Sequence, residues 1–290
     1  MKIFQNNTIK YIREVITIMN RENVIEKLTD LKEKGFKVPC EDMIASKEEI
    51  EKIKESTKIN MKILDLIEAN IKPGVTTNQL DKIASDFMTS KGAVSKYLSS
   101  THIFAKDIKN ISIAINNEVT LNVSKVDRVL NDGDMINVCV AIDYNGYSSD
   151  ISRMYTVGNV DDETKRLVKV AKECIDKGID AIKPWKRVGD LFDAIEKHAK
   201  DNGYSNFDFI GHGIGLKSLE KLMFTYSQSD KDMLLVPGML LSIEPVIAQG
   251  KTDCIVDNSG CVYNTCDGKL AAQWTHNVLV TENGVEILGK

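Results

Sequence analysis

Nothing in this sequence is long and apolar enough to span a bilayer: no run approaches the roughly 18 residues required. The opening stretch, Met1 to Asn7, lacks the apolar segment and small-residue cleavage site of a secretory signal, so cytoplasm is the expected compartment. An excess of positive charge is missing too. A net charge of −4 and a pI near 5.7 leave no footprint for nucleic acid or for an anionic membrane. The six cysteines (Cys40, Cys139, Cys174, Cys254, Cys261 and Cys266) include no CxxC pair. A chain of 290 residues needs no disulfide framework, so most are expected to be reduced, buried small hydrophobes. Cys254 and Cys261 flank an Asn258-Ser259-Gly260 turn, but a cytosolic disulfide between them is not expected. With 42 % apolar and 28 % charged residues, the chain can bury a sizeable core as one large domain or two modest ones.

Residues 1–45 read as a helical extension. Ile9, Ile12, Val15, Ile16 and Met19 recur at helical spacing, and Val24, Leu28 and Leu31 repeat the pattern before Gly35 and Pro39 end it. It is expected either to cap the main domain or to dock a partner. From residue 46 to 290 the chain reads as one domain in two halves, about 46–160 and 161–290. Ser46-Lys-Glu-Glu49 is a capping box that opens a long amphipathic helix ending at Ile71-Lys72-Pro73. The same tripeptide returns as Ile182-Lys183-Pro184, 111 residues on, with Leu80 matching Leu191 and Gly92 matching Gly203. Later the offset becomes 105, as Gly133-Asp-Met135 gives way to Gly238-Met239. Such ordered repetition predicts a duplicated α+β unit, two helices then antiparallel strands in each half.

Duplication places chemistry between the halves. Along residues 135–143, Ile136, Val138, Val140 and Ile142 take one face, while Asn137, Cys139 and Asp143 take the other. Asn145-Gly146 then makes a hairpin turn, and the returning strand carries Ser148, Asp150 and Ser152 on one face. Adding 105 to Cys139 gives Glu244, a carboxylate on an otherwise apolar strand, which is costly to bury without a positive group opposite.

Asp132-Gly-Asp134, Gly211-His212-Gly213-Ile214-Gly215, Ile243-Glu244-Pro245 and Gln273-Trp274-Thr275-His276 occur in an order and spacing that resembles the methionine aminopeptidases, over about residues 46–288. The resemblance implies the pita-bread (creatinase/aminopeptidase) fold, an α+β architecture with pseudo-twofold halves and a central cleft. It also implies a two-metal site built from two Asp, one His and two Glu, since carboxylates can bridge two ions about 3.5–4 Å apart. Carried over position by position, the first Asp falls on Cys139 and the final bridging Glu on Thr275. Asp150, His212 and Glu244 are retained. A substrate-contacting histidine falls on Leu121 when counted from Asp132 and on Asn122 when counted from Asn117-Glu118-Val119. A second falls on Leu219, its aromatic predecessor on Ser218, and a pocket-lining aromatic on Cys261.

The three retained ligands share one metal in that family, so at most one divalent ion (Zn²⁺, Mn²⁺, Fe²⁺ or Co²⁺) is expected, with Cys139 able to add a thiolate. The competing reading has no metal, His212 being paired with the two carboxylates. Alternation turns His276 away from Thr275's face and gives it a structural role. His102 and His198 read as solvated, and Trp185 and Trp274 as packing residues. Three functions follow as expectations: a pseudoenzyme binding a peptide or protein N-terminus, a single-metal aminopeptidase using Glu244 and His212, or a metal-free creatinase-like hydrolase of a small molecule.

Overall fold

The computed structural model describes residues 20–99, 108–120, 122–123, 126–216, 223–225, 231–257 and 262–289. The N-terminal pattern from Ile9 to Met19 lies outside them. Helix α1 (Arg21–Glu33) starts at Asn20, whose side chain accepts the Glu22 amide, and it buries Val24 and Leu28 against the second half. The first half then runs α2 (Lys47–Glu68), α3 (Thr77–Lys91), β1 (Val94–Ser95), α4 (Lys96–Ser99), β2 (Ser112–Ile115), β3 (Met135–Tyr144) and β4 (Tyr147–Thr156). The second begins α5 (Asp162–Ala181), α6 (Gly189–Asp201), β5 (Ser205–Asn206), β6 (Phe209–Gly213), β7 (Met223–Thr225), β8 (Leu240–Ile243) and β9 (Val246–Ala248). It continues β10 (Cys254–Val256), β11 (Tyr263–Thr265), β12 (Ala271–Gln273), β13 (His276–Val280) and β14 (Val285–Ile287). All the strand pairings are antiparallel, as the α+β reading expects. Among the described residues, no helix is long and apolar enough to cross a membrane.

Ser46 and Glu49 form the expected capping box, each accepting the other's backbone amide. The sequence repeat is also written in the backbone. Gly74 donates to the Leu130 carbonyl, and Trp185, 111 residues on, donates to Leu235, 105 beyond Leu130. Thr77 to Arg128 is matched in the same way by Val188 to Met233, and Leu130 to Val75 by Leu235 to Lys186. Gly133 and Gly238 share a left-handed conformation, at φ +96° and +93°. One departure is informative. Gly74 sits at φ +89°, whereas its counterpart Trp185 holds φ +66°, a conformation that costs a non-glycine residue about 1–2 kcal/mol. Its ring packs on the second-half core, with the Lys27 ammonium 4.0 Å from the ring centroid. Trp274 is likewise a packing residue, its indole N–H donating to the Val168 carbonyl.

Each half has its own apolar core. In the first, α2 and α3 pack Ile63, Leu64, Ile67 and Leu80 against Ile136, Val138, Val140 and Ile142 of β3, the apolar face that alternation predicts. The second gathers Leu167, Val170, Ile175, Leu191 and Phe192 against Leu241, Ile243 and Val278. Between them polar side chains act as sutures. Asn277 of β13 donates to the Asp150 carbonyl at 2.7 Å and accepts the Asp150 amide at 3.0 Å. Asn137 of β3 donates to the Gln273 carbonyl at 2.7 Å. At the join itself Ser152 and Thr275 form an isolated antiparallel bridge, with the Ser152 hydroxyl donating to Thr275 Oγ1 at 2.8 Å.

Removing the Asn277 amide strands both backbone groups of Asp150 in the interior. Asn277→Ala is therefore expected to lose about 2–6 kcal/mol in urea unfolding, at roughly 1–3 kcal/mol for each orphaned group. A loss below about 1 kcal/mol would show that the suture is not needed.

Candidate metal and ligand site

The site lies on the face of β3 and β4 turned toward β6 and β8. Asp150 stands in β4 directly opposite Ala141, so it shares a face with Cys139 two residues along β3. His212 stands in β6 opposite Ser242 of β8, and Ser242 in turn opposes Asn277. The glycine before His212 is a packing requirement: a Cβ on Gly211 would lie 2.0 Å from the Ser242 carbonyl oxygen. Glu244 follows β8, its amide donating to the Ile210 carbonyl at 2.7 Å.

Asp150, His212 and Glu244 each present a donor atom, and all three atoms lie within 4.8 Å of one another. His212 Nδ1 is 2.8 Å from the Gly213 carbonyl, which can only accept, so Nδ1 carries the hydrogen and Nε2 faces the carboxylates. Nε2 is 3.2 Å from Glu244 Oε1 and 3.8 Å from Asp150 Oδ2. Burial disfavours the imidazolium, but the hydrogen bonds to Asp150 and Glu244 outweigh it and hold the His212 pKa well above its ordinary value. Burial also raises Glu244, against the opposing pull of His212. The second Glu244 oxygen, Oε2, accepts from the Gln273 amide at 3.2 Å.

Cys139 donates its thiol hydrogen to Asp150 Oδ1 at 3.0 Å. Burial and then the Asp150 charge push that thiol far up, so at neutral pH it is a neutral donor and its sulfur stands outside the three-residue donor set. Thr275 is fully buried in a neutral chain, Asn137 to Ser152 to Thr275. The structure thus brings Cys139, Asp150, His212, Glu244 and Thr275 onto one face, as alternation predicts.

Two oxygens and one imidazole nitrogen, with the far ring nitrogen pinned by a carbonyl, suit a borderline divalent ion such as Zn²⁺, Mn²⁺, Fe²⁺ or Co²⁺. No second set of three convergent donors exists among the described residues. Of the cleft positions, Asn122 is buried and donates to Glu118 Oε2 at 2.7 Å, and Glu118 is held by Arg128. Leu121, Ser218, Leu219 and Cys261 lie outside the described residues, as does His102. Two sequence expectations need amendment. His198 is not simply solvated, since its Nε2 lies 3.0 Å from Glu173 Oε2. The described cysteines are free thiols as expected, but only Cys139 and Cys174 are buried, whereas Cys40 and Cys254 are exposed.

Gln273, Asn277 and Tyr97 went unassigned in the sequence. Gln273 and Asn277 lie two positions either side of Thr275, so alternation alone would have put them on its face. Tyr97 carries no such signal.

The sequence model of metallopeptidase family M24 matches residues 51–282. The chain is 36 % identical over 252 residues to methionine aminopeptidase A of a Synechocystis species, covering 84 % of this chain and 96 % of the relative. It is 34 % identical over 248 residues to the methionine aminopeptidase of Haemophilus influenzae, covering 84 % and 91 %. In structure it resembles the methionine aminopeptidase of Rickettsia prowazekii, with a TM-score of 0.78 and 32 % identity over 85 % of this chain and 99 % of that one. An X-Pro aminopeptidase of Thermotoga maritima shares the fold, with a TM-score of 0.65 and 21 % identity over 86 % and 62 % of the two chains.

Iodoacetamide at pH 8 is expected to modify Cys139 at least about tenfold more slowly than the exposed Cys40, because only the thiolate reacts. A thiol whose folded pKa is raised stabilises the fold fully below its unfolded value of about 8.5, and that contribution is lost as pH climbs toward the folded value. Equal labelling of the two cysteines in the folded protein would contradict the buried, protonated thiol.

Proposed function

The chain belongs to metallopeptidase family M24, and on that premise we propose that it is a methionine-aminopeptidase-like protein that binds the N-terminus of a peptide or protein at a one-ion site, with the family's two-ion release of methionine lost or strongly reduced. The observation that carries this reading is the contrast between the two sides of the cleft. On one side Asp150, His212 and Glu244 converge within 4.8 Å. On the other, where the resemblance calls for two more carboxylates, stand a protonated thiol and a threonine hydroxyl already bonded to Ser152.

Asp150, His212 and Glu244 would hold the ion. When bound, such an ion supplies Lewis acidity and lowers the pKa of water at the site. The protein's own groups do the rest. The Gly213 carbonyl fixes the ring of His212, Gln273 fixes Glu244, and Asn277 fixes the backbone of Asp150, so the three donors are placed before any ligand arrives. A cytoplasmic location accords with the expected substrates and with the chain's free thiols.

A second reading is a slow single-metal aminopeptidase, favoured by Glu244. Its carboxyl is buried, its pKa is raised, and it lies at the convergence point, which suits a group carrying a proton to a leaving amine. The missing second ion and altered cleft residues weigh against rapid turnover, because lost orientation is worth several kcal/mol of barrier, roughly 7–11 at best.

Elemental analysis, together with methionyl-peptide hydrolysis in added Mn²⁺, Co²⁺ or Fe²⁺, separates these readings. We expect no more than one tightly held ion per chain, peptide binding, and methionine release at least about a hundredfold slower than in a two-ion relative. Cys139→Asp with Thr275→Glu should raise the ion count without restoring full turnover. Two ions with rapid methionine release would refute the proposal, whereas one ion with slow release of another residue would favour the second reading.

A further inference from the structure

Tyr97 is a side chain that the chemistry above does not use. It lies in α4, directly after β1 pairs with β3, and packs with Ile108, Val123 and Ala141 in a small cluster of its own. Ala141 is the cross-strand partner of Asp150 and neighbours Cys139 on the same face, so the phenol stands over the Cys139 side of the cleft. The Cys139 side chain lies near enough to act on its hydroxyl by charge and by hydrogen bonding, followed by the charges of Asp150 and Glu244, but that contact does not reach the geometry of a formed hydrogen bond. The residue is only 6 % exposed.

Ser112 repeats the pattern. It is paired directly with Cys139 across β2 and β3, it is 1 % exposed, and its Oγ also has no hydrogen-bond partner among the described residues. Around the position where the family resemblance calls for a carboxylate, the chain therefore sets a phenol, a hydroxyl and a thiol. The thiol gives its hydrogen to Asp150, and the phenol and the hydroxyl remain able to donate. A buried hydroxyl with no partner costs about 1–3 kcal/mol, and phenylalanine would fill the same volume without that cost. The site is also graded in depth. The side chains of His212 and Asp150 are 20 % and 18 % exposed, while Cys139 and Tyr97 lie deeper. A ligand entering past His212 would place its innermost group against the two idle hydroxyls.

We infer that Tyr97, assisted by Ser112, is a specificity-determining residue that selects a peptide whose first side chain ends in an oxygen acceptor, as in asparagine or threonine, over the thioether of methionine. This rests on the peptide-N-terminus reading and sharpens it. A hydrogen-bond donor in an enclosed pocket discriminates strongly, because a ligand lacking the acceptor leaves the donor unpaired in the complex. The acceptor would satisfy groups that the free protein leaves unsatisfied, so the free protein bears the cost and the complex recovers it.

Two peptides that differ only in their first residue, Asn-Ala-Ser-Lys and Met-Ala-Ser-Lys, provide the test by calorimetric titration into the full chain with and without Mn²⁺. Wild type is expected to bind the asparaginyl peptide about tenfold more tightly. Tyr97→Phe should abolish that preference while Mn²⁺ affinity is unchanged and the melting temperature is unchanged or raised. Ser112→Ala should reduce the preference in part. A wild-type preference for methionine that survives Tyr97→Phe overturns the inference and leaves peptide binding standing. A lowered melting temperature for Tyr97→Phe also overturns it, since the hydroxyl would then be serving the free fold. Failure of both peptides to bind wild type would refute the peptide reading, and this inference with it.

Discussion

Two carboxylates, one buried and one half-buried, within reach of each other need a positive charge between them, and the architecture around Glu244 and Asp150 answers that need. Isolated buried carboxylates cost several kcal/mol each. Here His212 faces both of them through Nε2 while its other nitrogen is tied to the Gly213 carbonyl. The ring can stand there only because Gly211 lets β6 approach the Ser242 carbonyl. Gln273 takes up the remaining Glu244 oxygen, and Cys139 takes up the remaining Asp150 oxygen. A divalent ion would replace the imidazolium proton as the positive charge, so the same geometry serves with a metal or without one.

The groups that hold this arrangement are mostly uncharged. Asn137, Ser152, Thr275 and Asn277 join the two halves by side-chain hydrogen bonds at the place where two sheets meet without a continuous ladder. Neutral sutures avoid the desolvation cost that further ion pairs would carry. They also leave the triad as the only charged cluster of its kind among the described residues.

Much of the fold was legible because duplication amplifies weak signals. A single Ile-Lys-Pro means little, but the same tripeptide, leucine and glycine returning at one offset reflect paired turns that hydrogen-bond alike. Strand alternation likewise sets Cys139 with Asn137 and Asp150 with Ser152, and the 105-residue offset carries Cys139 onto Glu244. Asn277 and Gln273 were hidden for a different reason. Alternation sets them beside Thr275 but gives them no task, and the partners that do, Asp150 for Asn277 and Glu244 for Gln273, lie 127 and 29 positions away. Tyr97 was harder still. Its α4 spans only Lys96–Ser99, too short to show a periodicity, and it reaches the cleft through tertiary packing alone.

Cys139 and Glu244 occupy equivalent positions in the two halves, one on β3 and the other just past β8. Were both carboxylates, a linear ligand lying across the pseudo-twofold axis would meet the same chemistry at each end and could bind in either direction. A thiol on one side and a carboxylate on the other remove that degeneracy. The two ends of the cleft become unlike, with a thiol bonded to Asp150 at one and the Glu244 carboxylate facing His212 at the other. Divergence between the repeats thus acts as a vector: any asymmetric molecule lying across this axis would meet a different neighbour at each end.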